Sequence, residues 1–275
     1  MISVFIPYLN GSAYIEEALQ SLEAQTFKDF HVVVYDSGST QEEQRFLCEA
    51  LKILKRPIEY GAIFSSEQFD MIENWNRCLK HAAELPKTNP AKYGPNDWVK
   101  FLHQDDLLEP TYFERLKSHA SDIVANRRDF LFANDTEENT RQAYIDQASY
   151  MVGRSKSARE FIRHLVVAPG YNAIGEPSSV AFRRRCIERF GLFHVKLFQM
   201  ADWEYFARIA AHTGIEWIDE SLSVFRVHKD SASFSADRQA EAPVLIDAIF
   251  AILKRLNHQH GQSSRHPDSA ERSPA

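Results

Sequence analysis

Apolar and polar positions alternate in two rhythms along the first half of the chain. Residues 2–7 (ISVFIP) form a continuous apolar run stopped by proline, the pattern of a strand buried on both faces. Residues 31–36 (HVVVYD), 58–64 (IEYGAIF), 98–103 (WVKFLH) and 130–134 (FLFAN) repeat it. Between these runs the spacing becomes helical. Ile15, Ala18, Leu19 and Leu22 share one helix face after the Asn10-Gly11 turn, with Ser12 as the expected cap. Ser39 and Glu42 stand at capping-box spacing before a stripe of Phe46, Leu47, Ala50, Leu51 and Leu54. A third helix is expected over 67–83, with Ile72, Leu79 and Ala83 inward. A fourth, opened by Thr111 and Glu114, should run to about residue 125. Residues 87–97 (KTNPAKYGPND) read as a loop.

Strands alternating with helices predict an α/β fold, a mostly parallel central sheet with helices on both faces. The second half is less regular. Residues 136–157 are polar and read as a loop over the site, and Ser157 with Glu160 opens a helix to about residue 167. A strand over 178–182 (SSVAF) precedes a short helix closed by Gly191 and a longer one closed by Gly214. Residues 215–218 and 221–228 read as two strands, and 245–256 as a last amphipathic helix.

Composition narrows the function classes. The chain has 275 residues, 44% hydrophobic and 25% charged, ordinary for a globular protein. Its net charge of -6 argues against nucleic acid as a partner. Cys48, Cys78 and Cys186 are scattered and form no CxxC pair, which argues against a disulfide framework or a zinc knuckle and fits a reducing compartment. No signal peptide is recognisable, and no apolar run approaches the ~20 residues of a membrane span. A cytoplasmic protein is expected, with peripheral contact at the inner face of a membrane.

In parallel sheets ligands bind beyond the carboxyl ends of the strands. The polar residues at those ends are Asn10, Asp36, Ser37, His103, Gln104, Asp105 and Asp106, so they are expected to converge on one edge. Adjacent Asp105 and Asp106 suit either a capped turn or a hard divalent cation shared with phosphates. Asp36 followed by Ser37-Gly38-Ser39 offers hydrogen bonds and close backbone approach to a nucleotide base, or a plain capped turn. Neither GxGxxG nor GxxxxGK[ST] is present. Asp202 at a helix start is an N-cap or a proton acceptor. Trp203 and Tyr205 are core rings or sugar-stacking faces, with Glu204 beside them. His228 at a strand end is a surface residue or part of a metal shell.

Taken in order, "IPYLNG", "QTFKDFHVVVYDSGST", "FLHQDDLLEP", "PSSVAFRR", "GLFHVKLFQMADWEYFARIAAHTG" and "LSVFRVHKDSAS" resemble the inverting family-two glycosyltransferases of the GT-A fold. The resemblance runs from Ile2 to about Ser235. It implies transfer of a sugar from a nucleotide-diphosphate sugar donor to a glycan or lipid-linked acceptor, as in polysaccharide biosynthesis, aided by a divalent cation (Mn²⁺ or Mg²⁺). The family's Asp-x-Asp motif falls on His103-Gln104-Asp105. That makes Asp105 the metal ligand, with His228 and a supporting Asp106, and puts His103 where the family has an acid. The family's Glu-Asp pair falls on Ala201-Asp202, which makes Asp202 the general base. Pro7, Tyr8, Asn10, Asp36, Ser37, Asn76, His103 and Gln104 match donor-binding positions, and Trp203 and Glu204 are expected to meet the acceptor. Ser37, where UDP-using members carry an acid, leaves thymidine or guanine nucleotides open. The domain division implied is one catalytic domain over 1–257: a nucleotide-sugar half (1–135), an acceptor half (136–235) and a C-terminal helix (236–257). A structureless tail (258–275) follows. The departures at Ser37, His103 and Ala201 motivate a non-catalytic sugar- or partner-binding protein as the alternative, ahead of a nucleotidyltransferase.

Overall fold

The structure is a computed structural model, and it describes residues 1–148, 153–167, 172–229, 241 and 243–251. Eight strands form one sheet: β1 (Ile2–Tyr8), β2 (Phe30–Asp36), β3 (Glu59–Ile63), β4 (Trp98–Phe101), β5 (Leu107–Leu108), β6 (Ile123–Phe132), β7 (Val180–Arg183) and β8 (Glu216–Val227). The helices are α1 (Ile15–Glu23), α2 (Gln41–Ala50), α3 (Met71–Thr88), α4 (Tyr112–Leu116), α5 (Glu138–Ala148), α6 (Ala158–Val167), α7 (Arg185–Phe190) and α8 (Ala201–Thr213). The strand order is β3-β2-β1-β4-β7-β6-β8-β5, so strands from both halves of the chain share one sheet.

Strand direction decides where the polar ends meet. β1, β2, β3 and β4 are parallel, β7 is antiparallel to both β4 and β6, and β8 is parallel to β6. The two reversals through β7 cancel, so the carboxyl end of β8 arrives at the same edge as those of β1, β2 and β4. The amino ends of the antiparallel strands β5 and β7 lie there too.

Alternation along β1 splits the core. Ile2, Val4 and Ile6 pack with α1 and α2 on one face, while Phe5 joins α3, α7 and α8 on the other. At about 25 cal/mol per Å² of apolar surface, this two-sided burial is what stabilises a continuous apolar strand.

Several local expectations change. α4 ends at Leu116 rather than near residue 125, because Ile123 and Val124 pair with Phe182 and Ala181 of β7. A β-branched pair buried in a ladder overrides the helical spacing. The strand expected over 130–134 is therefore the end of β6. Thr40, not Ser39, caps α2, accepting from the Glu43 N–H at 3.3 Å, and Thr111 makes no cap hydrogen bond. Ser12 donates its hydroxyl to Glu43 instead of capping α1. α3 starts at Asp70, whose capping box with Glu73 sets its register, and it continues through Pro86 to Thr88. Pro86 lacks the N–H that would bond the carbonyl of Ala82. The guanidinium of Arg184 donates to that carbonyl at 2.6 Å instead.

Residues 136–157, read as a loop, contain α5. Tyr144 of α5 lies 5.7 Å from the Phe130 ring and 5.8 Å from the Phe225 ring, anchoring an otherwise polar helix. The two strands expected after Gly214 are one, β8, whose register slips against β6 around Arg127. Residues 243–251 are helical; the remainder of the expected last helix and the tail lie outside the described residues. Among the described residues no helix is long and apolar enough to cross a membrane.

Candidate active site

A cleft of about 510 Å³ opens along the sheet edge where these strand ends meet. Of the residues expected there, Pro7, Tyr8, Ser37, His103, Gln104, Asp105, Asp202 and His228 line it. Gln104 arrives after β4 and clamps the exit of β1: its Oε1 accepts from the Leu9 N–H at 2.9 Å, and its amide donates to the Leu9 carbonyl at 3.2 Å.

One end of the cleft gathers metal-ligating groups. Ligand atoms of His103, Asp105 and Asp106 lie within 4.8 Å of one another. Asp105 accepts from His228 Nε2 at 2.9 Å. Burial pushes the Asp105 carboxyl up, but the His228 hydrogen bond and the nearby His103 outweigh it and hold it below the usual carboxylate range. Asp106 is fully buried and accepts from the Arg226 N–H at 2.9 Å. Burial first, and the Asp105 charge second, push it well above that range. His103 stacks on Trp75 with ring centroids 5.1 Å apart. The buried Asp106 Oδ2 and His103 Nε2 have no hydrogen-bond partner among the described residues. Two carboxylates and an imidazole, with two such orphaned atoms, fit a divalent cation. His103, assigned from the sequence to the donor, thus belongs to this cluster, and His228 reaches it through Asp105.

Asp202 lines the same cleft from the first turn of α8. Its Oδ1 accepts from the Trp203 N–H at 2.7 Å and its Oδ2 from the Asn172 amide at 3.2 Å. Burial, then the charge of Glu176, push its carboxyl up to about 7. Glu176 sits on the turn entering β7 and pairs with buried Arg128 at 2.5 Å. Lys100, wholly buried in β4, holds that turn in place: its ammonium donates to the carbonyls of Pro177 (3.3 Å), Val180 (3.2 Å) and Ser178.

Six expected site residues do not line the cleft. Asp36 is fully buried, and its carboxylate accepts from the N–H groups of Gly38, Ser39 and Ser65 and from Gln44. It shapes the loop behind Ser37. Asn10, at φ 45°, ties β1 to the start of α2 through Ser39 and Thr40. Asn76 exchanges two hydrogen bonds with the backbone of Phe193, at 2.9 and 3.1 Å. Trp203 is fully buried in the core. Glu204 grips Arg208 at 2.8 and 2.9 Å. The last two corrections share a cause: α8 turns only the Asp202 face of its first turn to the cleft. Asp106 lies behind the wall. Sequence reasoning missed Asn74, Trp75 and Glu176, which do line the cleft. The Asp70–Glu73 capping box, read correctly, would have indicated that the first turn of α3 reaches the site.

Known proteins resemble this chain in sequence and in fold. The family model "Glycosyl transferase family 2" matches residues 3–189. An uncharacterised glycosyltransferase of Nostoc sp. is 25% identical over 257 residues, covering 90% of this chain and 72% of that protein. An uncharacterised protein of Mycobacterium tuberculosis is 25% identical over 233 residues, 82% of this chain and 67% of that one. Among solved structures, Staphylococcus aureus TarS (residues 1–349) with UDP-GlcNAc has a TM-score of 0.60 at 17% identity, covering 86% of this chain. This chain spans 61% of that TarS chain. A Pyrobaculum calidifontis mannosyltransferase in complex with GDP-Man and Mn²⁺ has a TM-score of 0.55 at 17% identity, covering 94% of this chain and 75% of that one. These likenesses identify a GT-A-type fold.

Proposed function

Because the chain belongs to glycosyl transferase family 2, we propose that it moves a sugar from a nucleotide-diphosphate sugar to a hydroxyl of a glycan or lipid-linked acceptor, with inversion at the anomeric carbon. The observation that carries this reading is that Asp202 and Asp105 line one cleft, Asp105 beside His103 and Asp106 and Asp202 at the start of α8. Inversion requires attack opposite the leaving group, so this reading sets the two carboxylates on either side of the transferred sugar. Pro7, Tyr8 and Ser37 form the strip for base and ribose.

Asp105, His103 and Asp106 would hold the cation, with His228 bracing Asp105. A nitrogen ligand favours Mn²⁺ over Mg²⁺, which prefers oxygen donors throughout. When bound, the cation supplies positive charge that stabilises the departing diphosphate. Asp202 accepts the proton of the acceptor hydroxyl as that oxygen bonds the anomeric carbon. The diphosphate leaves with the electron pair of the broken bond. Burial is what keeps Asp202 basic enough: a carboxyl near 7 is a far better proton acceptor than one near 4. A lipid-linked acceptor would place this work at a membrane surface.

The test is a thermal-shift screen of nucleotide sugars with Mn²⁺, followed by release of nucleotide diphosphate from the stabilising donor. Asp202→Asn should bind donor and metal yet lose transfer; undiminished turnover would refute the base assignment.

A further inference from the structure

The cleft is lined by four carboxylates, Asp70, Asp105, Glu176 and Asp202, and among the described residues by no lysine or arginine. Asp105 belongs to the cation cluster and Asp202 to the first turn of α8. Glu176 is left without a role in the reaction derived above. It is neither a surface acid nor a spent one. Its side chain is 14% exposed, and Arg128 pins its Oε2 from behind. The turn that carries Glu176 is bonded to both groups: the Ser178 hydroxyl accepts from the His103 N–H at 3.0 Å, and the Asn172 amide donates to the Gly175 carbonyl and to Asp202 Oδ2, each at 3.2 Å. Between the cation end and the base is where a transferred sugar must lie.

Resting on the reading under Proposed function, we propose that Glu176 is the residue that reads the transferred sugar. Pinned by Arg128, its carboxylate accepts hydroxyl hydrogen bonds from a neutral sugar and rejects a sugar that itself carries a carboxylate. An ionised acceptor makes the stronger class of hydrogen bond, and a second carboxylate at the same place meets like charge, while Arg128, which pairs with Glu176, does not line the cleft. Lys100 contributes by holding the Pro177–Ser179 turn that presents Glu176.

The test uses donor pairs that differ only at C6: UDP-glucose with UDP-glucuronic acid, and GDP-mannose with GDP-mannuronic acid, all with Mn²⁺. Calorimetry on UDP and GDP alone supplies the sugar-free reference. Glu176→Gln should leave nucleotide-diphosphate affinity within about twofold. It should lower kcat/KM for the neutral donor by roughly 10- to 100-fold, the size of a lost charge-assisted hydrogen bond, and shift preference toward the uronic acid. The double variant Glu176→Gln with Arg128→Met removes the guanidinium charge as well and should behave the same way. An unchanged preference, or a loss of nucleotide-diphosphate affinity as large as the loss for the donor, overturns the proposal. A wild type that releases nucleotide diphosphate from no donor overturns the functional reading and this proposal with it. An active wild type with unaltered selectivity in both variants overturns Glu176 alone.

Discussion

Replacing Asp202 by Asn should abolish transfer and, above neutral pH, make the fold more stable. An Asp carboxyl ordinarily titrates near 3.8, and in the folded chain it is pushed up to about 7 by burial and by Glu176. Roughly three pH units at ~1.4 kcal/mol each make ionising Asp202 in the fold cost about 4 kcal/mol. Between those two values the folded chain keeps a proton that the unfolded chain has lost. Stability therefore falls as pH rises through that window, and the whole penalty is present above about pH 7. Asparagine cannot ionise. Its carbonyl keeps the Trp203 N–H, but its amide then faces the Asn172 amide, which already donates. That mismatch costs about 1 kcal/mol. The balance is about 3 kcal/mol in favour of the variant at about pH 8 and close to nil at about pH 5, a rise of roughly 6–12 °C in Tm at the higher pH. Paired thermal melts and urea titrations of both proteins at the two pH values give the difference. The wild-type kcat/KM should rise with pH through about 7 as Asp202 ionises, opposite in slope to its stability. A variant no more stable than the wild type at about pH 8 would refute both the burial argument and the base assignment built on it.

Three further substitutions probe the frame. Asn76→Ala leaves the buried N–H and C=O of Phe193 without partners and should cost about 3 kcal/mol in urea denaturation. Donor KM should not change; a raised KM with intact stability would return Asn76 to the site. Gly38→Ala places a Cβ 2.6 Å from the Glu67 carbonyl at φ +88°, so it should lose ~2 kcal/mol or more and weaken nucleotide binding through the adjacent Ser37. An unaltered melting curve would contradict that packing. Asp105→Ala should weaken Mn²⁺-dependent nucleotide-diphosphate binding by at least the roughly tenfold that even outer-shell losses cause. Calorimetry in chelator should show no difference between variant and wild type, and equal affinities with Mn²⁺ would reject Asp105 as a ligand.

Local pattern carried most of the sheet. The apolar runs at 2–7, 31–36 and 98–103 became β1, β2 and β4, and Gly191 and Gly214, at φ +80° and +79°, ended α7 and α8 as their positions implied. Those features are short-range: buried strands need apolar residues on both faces, and a left-handed terminus favours glycine. β6 and α5 were misread for the complementary reason. Ile123 and Val124 belong to a strand only because β7 lies beside them, and α5 is a helix resting on Tyr144 against rings from β6 and β8.

By itself the sequence determined that acids and imidazoles would stand at strand ends along one edge: Asp36, His103, Asp105 and, after β8, His228. Only the tertiary structure decided which of them face a ligand. Asp36 and Asn76 have the right residue types in the right motifs, yet backbone groups from other segments consume both side chains. Glu176 has no motif of its own. The antiparallel course of β7 carries it to the edge, and Lys100 and Arg128, 76 and 48 positions away along the chain, hold it there. Periodicity records burial, whereas the partner that satisfies a buried polar group is set by strand order and direction.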